Sequence, residues 1–231
     1  MTLRPTAQPT RVPARGATDS GLFFEADWSD APADGEPAWF LDPAKTSGDH
    51  PYWLSPGQWR VTRLTTPAYT GLAYQASEER PQPWLSFRVL QRPSVPSRFR
   101  ILATVQGVSS PYLQSPIGEI SIIPYYLDPT HYMEVLVTPA HLGIWLADGA
   151  EPDTDRGWTG VHFLPVRTDV GQLRQVTIDV DLSANRLTVA AGDQTYTLTH
   201  PFLQPDRGHG LAVRAAGNTF NLLRYRVETT P

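Results

Sequence analysis

A chain of 231 residues, 40% hydrophobic and only 18% charged, can bury a substantial core. It suits one all-β domain of about 200–250 residues better than two small domains. A net charge of −4, a pI of 5.8 and dispersed Lys and Arg exclude the basic stripe that nucleic acids or anionic membranes require. With no cysteine there is no disulfide, thiolate nucleophile or cysteine zinc site, and no apolar run approaches the roughly 20 residues that span a bilayer.

The opening segment, "MTLRPTAQPTRVPARGATDS", lacks the apolar stretch of a signal peptide. Residues 1–20 read as a disordered leader or linker, and both the cytoplasm and a place within an exported protein fit the chain. Residues 21–231 read as one β-sandwich domain. Its 23 prolines and 17 glycines punctuate the chain about every eight to twelve residues, with short alternating runs of Val, Ile, Leu, Thr and Tyr between them.

Strands are expected at about 21–26, 58–64, 69–77, 84–90, 97–107, 118–127, 131–138, 141–147, 160–166, 173–182, 185–191, 194–199, 209–216 and 219–228. Residues 29–57 read as a long loop carrying Trp39 and Trp53. "HYMEVLVTPAHLGIWLADG" is a hairpin turning at Thr138-Pro139-Ala140. "VTIDVDLSANRLTVAAGDQTYTLTH" is a three-strand meander turning at Ser183-Ala184-Asn185 and at Gly192-Asp193.

Side chains alternate faces along a strand, so the apolar rows assign inside and outside. Leu142, Ile144 and Leu146 form one buried row, and Val176, Ile178 and Val180 another. In 131–138 the better core row is Met133, Val135 and Val137. Ile120 and Ile122 point inward in 118–123. The opposite, open face then presents Glu119, Ser121, Tyr132, Glu134, His141 and Trp145 together.

From about Gly21 to Glu228 the chain resembles a concanavalin A-like jelly roll, the fold of legume lectins, laminin G-like domains and family 16 glycoside hydrolases. The stretches that carry the resemblance are "FFEADWSD", "GQWRVTRLTTPAYTGLAYQ", "GEISIIPYYLDPTHYMEVLV" with "LGIWLADG", the polar meander above, and "GLAVRAAGNTFNLLRYRVE". The resemblance implies an all-β, two-sheet antiparallel sandwich. Family 16 enzymes carry E-x-D-x-E on one strand, with the first Glu as nucleophile and the last as acid/base. Here Glu119 matches the nucleophile, Ser121 stands in place of the Asp, and Ile123, or Pro124 with one insertion, replaces the acid. Retaining hydrolysis needs two carboxyl groups about 5–5.5 Å apart, so catalysis would require Glu134 of the next strand as a displaced acid/base.

Three readings follow. The first is a non-catalytic carbohydrate-recognition or adhesion-type module, binding glycan on the concave face through Trp145, Tyr132, Glu119, Glu134 and His141. The second is a glycoside hydrolase-like enzyme using Glu119 and Glu134. The third is a structural β-sandwich with no small ligand. Exposed aromatics suit the first, because the C–H faces of a sugar ring are apolar and its hydroxyls need polar partners. The resemblance also implies a possible structural calcium, for which Asp27 and Asp30 of "EADWSDAPADGE" are the candidate ligands.

Overall fold

The computed structural model describes residues 21–32, 35–46, 51–80, 83–91, 94–110, 117–152, 154 and 156–230. The leader expected at 1–20 lies outside them. Sixteen strands follow in order: β1 (Leu22–Glu25), β2 (Phe40–Leu41), β3 (Leu54–Ser55), β4 (Gln58–Thr66), β5 (Tyr69–Glu78), β6 (Leu85–Leu90), β7 (Arg98–Ser109) and β8 (Glu119–Asp128). The remainder are β9 (His131–Val137), β10 (Leu142–Asp148), β11 (Trp158–Leu164), β12 (Leu173–Asp181), β13 (Arg186–Ala191), β14 (Gln194–Thr199), β15 (Gly210–Ala216) and β16 (Asn218–Thr229).

They form two sheets. The back sheet runs β14-β13-β12-β7-β16-β5-β4, with β1 paired to β16. The front sheet runs β11-β10-β9-β8-β15-β6-β2, with β3 paired to β6. The last two strands of the chain therefore sit in the middle of the two sheets, β15 between β8 and β6 and β16 between β7 and β5. This is the sandwich expected from the alternation.

The inward rows of both sheets meet in one core. Ile120, Ile122, Met133, Val135, Val137, Leu142 and Ile144 from the front pack with Ile101, Val176, Ile178, Leu187, Phe220 and Leu222 from the back. Local chemistry sets the turns. Asp181 accepts a hydrogen bond from the Ala184 amide at 3.2 Å, and Asn185 takes the left-handed conformation (φ 51°) that reverses the chain into β13. Gly192 (φ 62°) does the same between β13 and β14.

Residues 29–57 depart from the loop expected there. β2 and β3, of two residues each, pair with β6, antiparallel and parallel respectively. Strand β6 would otherwise end the sheet with a row of unpaired backbone groups, and covering such an edge removes a site of unwanted pairing. Two-residue strands carry no periodicity, so alternation could not reveal them. The covering also has a buried polar anchor. Arg88 of β6 is fully buried, donates to Glu36 Oε1 at 2.9 Å and to the carbonyls of Phe87 and Pro56, and lies 3.4 Å from Asp42.

Candidate functional site

The outer face of the front sheet is a grid fixed by strand register. One row across it runs Arg214 (β15), Ser121 (β8), Leu136 (β9), Gly143 (β10) and Phe163 (β11). The next holds Glu134, Trp145 and Gly160, and a third holds Tyr126, Tyr132, Ala147 and Trp158. Glu119 lies at the near end of β8, opposite Ala216. Glu119, Ser121, Tyr132, Glu134 and Trp145 thus share one face.

That face is not uniformly open. Between β15 and β11 lie four strand spacings, about 19 Å on a flat sheet, yet the Arg214 guanidinium comes 5.9 Å from the Trp158 ring. These two long side chains thus reach toward each other over the strands between them and cover that part of the face. Trp158 also meets Tyr132 edge-on at 5.8 Å. From the other side Trp53 and Leu54 pack down with Leu85, Phe87, Ile123 and Ala212 into a second apolar cluster. Tyr132 is left 0% exposed and Glu134 1% exposed. The sequence-based expectation of an open surface at these two residues does not hold, because strand alternation selects a face without saying what lies upon it.

Inside the covered part, Arg214 donates to both oxygens of Glu134, at 2.8 and 3.0 Å from Nη2 and 3.0 Å from Nε. The same Nη2 lies 3.7 Å from Glu119 Oε2. Two distances to one nitrogen cap the separation of the carboxylate oxygens at their sum. That bound admits the spacing of a retaining pair without fixing it. Chemically the two carboxylates are not equivalent. Glu134 has both oxygens taken by Arg214 and no path to solvent, whereas the Glu119 side chain keeps 31% of its surface exposed. Burial lifts the Glu119 carboxyl above the ordinary range, with Arg214 opposing that shift and Glu134 reinforcing it. The Tyr132 phenol is likewise pushed far up by burial. Its hydroxyl and that of Ser121 are buried without a hydrogen-bond partner.

The open part lies along β10 and β11. Trp145 is partly exposed and Phe163 is 46% exposed. Their rings meet edge-on at 5.6 Å, and His141 meets Phe163 in the same way at 4.9 Å. Two glycines make room for this strip. A Cβ on Gly143 would come within 2.8 Å of Trp145 Nε1 and 3.4 Å of Phe163 Cδ1. One on Gly160 would meet Phe163 Cζ at 2.8 Å and Trp145 Cη2 at 3.5 Å. Both rings thus rest over bare backbone on two adjacent strands. Trp145 Nε1 is buried and has no acceptor. Burial lowers the His141 pKa, favouring the neutral ring.

Sequence reasoning did not single out Arg214, Phe163, Trp158, Gly143 or Gly160. The arginine carried a usable signal: a lone cation in the apolar run "GLAVRAA" demands a buried carboxylate.

Three other tryptophans do not join the open strip. Trp53 is buried, Trp39 packs on Phe24, Trp28 and Phe40, and Trp84 is covered by the Arg80 guanidinium at 4.1 Å. The proposed calcium ligands do not assemble. Asp27 Oδ1 accepts from the backbone and hydroxyl of Ser29, at 3.0 and 2.6 Å, capping a single 3-10 turn. Among the described residues no three His, Asp or Glu side chains come together as metal ligands.

No known family model matches the chain, and no curated protein matches it in sequence. Solved structures do match. Lectin II from Ulex europaeus aligns with a TM-score of 0.57 at 9% identity, over 91% of this chain and 100% of the lectin. Carbohydrate-binding module CBM66 from Bacillus subtilis aligns at 0.51 and 10% identity, over 78% and 100%. The exoplasmic domain of VIP36, in a Ca2+/Man3GlcNAc-bound form, aligns at 0.51 and 8%, over 76% and 84%. The likeness is one of fold, and the fold is the concanavalin A-like jelly roll.

Proposed function

We propose that this protein is a non-catalytic carbohydrate-binding module. Its ligand lies along the open strip of the front sheet's outer face, stacked on Trp145 and Phe163 and hydrogen-bonded by Glu119 and His141. The observation that carries this reading is the paired aromatic strip seated over Gly143 and Gly160. It is an apolar platform beside polar groups, the combination that sugar rings require. The fold neighbours whose names include lectin or carbohydrate-binding module agree with it. Tyr132 and Glu134, buried beside the strip on the neighbouring strand, do not touch ligand.

The hydrolase reading loses ground to the same geometry. A general acid must reach the leaving group, and Glu134 is enclosed with both oxygens bound to Arg214. Titrating the protein with a panel of oligosaccharides, by calorimetry and by NMR, tests the proposal. Trp145→Ala is expected to weaken every ligand at least tenfold while the fold is retained. Ligands that bind Trp145→Ala as well as wild type would move the site elsewhere. Turnover of a polysaccharide that is lost in Glu119→Gln would restore the enzyme.

A further inference from the structure

The charges around the open strip are lopsided, and the imbalance bears on which glycans fit. Arg214, Glu134 and Glu119 form a trio of two carboxylates and one guanidinium. The one guanidinium serves both carboxylates unequally: Arg214 is buried, makes three hydrogen bonds to Glu134 and only approaches Glu119, at 3.7 Å. The trio's unbalanced charge therefore falls on Glu119, the member that keeps contact with solvent. Among the described residues no Lys or Arg stands on the strip formed by His141, Gly143, Trp145, Gly160 and Phe163. The two arginines that flank β11 are each matched already, Arg156 by Glu151 at 3.4 Å and Arg167 by Asp169 at 3.2 Å. The groups left unpartnered on this face, Ser121 Oγ, Tyr132 OH and Trp145 Nε1, are all uncharged. Among the described residues the face can form hydrogen bonds but offers no free cation.

We infer that Glu119 is a specificity residue that restricts the site to uncharged glycans, rejecting those that bear carboxylate or sulfate. This rests on the carbohydrate-binding reading above and deepens it. A negative group brought beside a half-buried carboxylate meets repulsion that bulk water does not screen, whereas a sugar hydroxyl donates to the same oxygens. Specificity of this kind comes from what the site repels as much as from what it holds.

The test is a glycan array carrying matched neutral and acidic oligosaccharides, among them β-1,4-mannohexaose and the β-1,4-mannuronate hexamer. It is probed with wild type, Glu119→Gln, Glu119→Asp and Trp145→Ala, each checked for folding by thermal melting. Wild type is expected to bind neutral members only. Glu119→Gln should narrow the neutral-to-acidic ratio at least tenfold, Glu119→Asp should keep it, and Trp145→Ala should weaken all binding alike. Acidic glycans among the tight ligands of wild type, or an unchanged ratio in Glu119→Gln, overturn the inference and leave the glycan site standing. Wild type that binds no glycan at all overturns both.

Discussion

The two halves of the front sheet's outer face use similar residue types to opposite ends. Toward β15 and β6, the aromatic side chains of Tyr132, Trp158, Trp53 and Phe87 close over a charge pair, and water is shut out. Along β10 and β11, Trp145 and His141 keep part of their surface exposed and Phe163 nearly half, and Glu119 of β8 stands on the same face two strands from β10. What separates the halves is the covering supplied by β3 and the chain leading into β11. A buried charge pair is costly unless fully satisfied, and in the covered half both oxygens of Glu134 are satisfied by Arg214. The open half keeps aromatic surface and a carboxylate available to a ligand.

The sharpest way to break this contrast is to remove one partner of the covered pair. Arg214→Met strands Glu134 without a counter-charge and is expected to cost about 3–5 kcal/mol, read as a fall in the denaturant midpoint. Arg214→Met with Glu134→Leu should recover most of it. A loss below about 1 kcal/mol in the single variant would mean that water reaches the pair.

A smaller effect is expected from Gly143→Ala. The added methyl meets Trp145 Nε1 at 2.8 Å, so the indole must move. Glycan affinity should fall about tenfold, or about 1.4 kcal/mol, with little change in melting temperature. Unchanged affinity would show that the indole's seat does not matter.

Strand positions and faces were legible in the sequence, because Leu142, Ile144 and Leu146 or Val176, Ile178 and Val180 repeat with a period of two. Glu119, Glu134 and Trp145 came onto one face for the same reason. Which of them meets solvent was not legible. Trp53 reaches the face from outside the strands, Trp158 from the first position of β11, and Arg214 arrives from a strand about 80 residues beyond Glu134. Such placements depend on tertiary packing and leave no local pattern.

Tyr132→Phe probes the covered half more gently. Its hydroxyl is buried and unpartnered, so deleting it removes a group whose hydration was lost without replacement. Stability should rise by up to about 1 kcal/mol. A clear loss would reveal a bound water in contact with that oxygen.

The smallest effect belongs to Glu119, and it depends on pH. Its carboxyl is raised in the folded chain, so the folded state holds this proton to higher pH than the unfolded state does. Its contribution is nil below the unfolded carboxyl pKa of about 4.3 and turns unfavourable as pH rises through the folded value. Glu119→Gln should therefore raise the melting temperature at pH 7 by at most about 2 °C and leave it unchanged at pH 3. A decrease at pH 7 would mean that the attraction to Arg214 outweighs burial.

The central positions of β15 and β16 also set an order of events during synthesis. Until residues 210–229 are available, β8 lacks one neighbour in the front sheet and β7 one in the back, and Glu134 has no guanidinium to meet. A nascent chain short of that point lacks the strands that join β8 to β6 and β7 to β5, with apolar rows and strand edges left open to other chains. The domain is thus one that completes itself late, and its vulnerability to aggregation is concentrated in the interval before its final strands emerge.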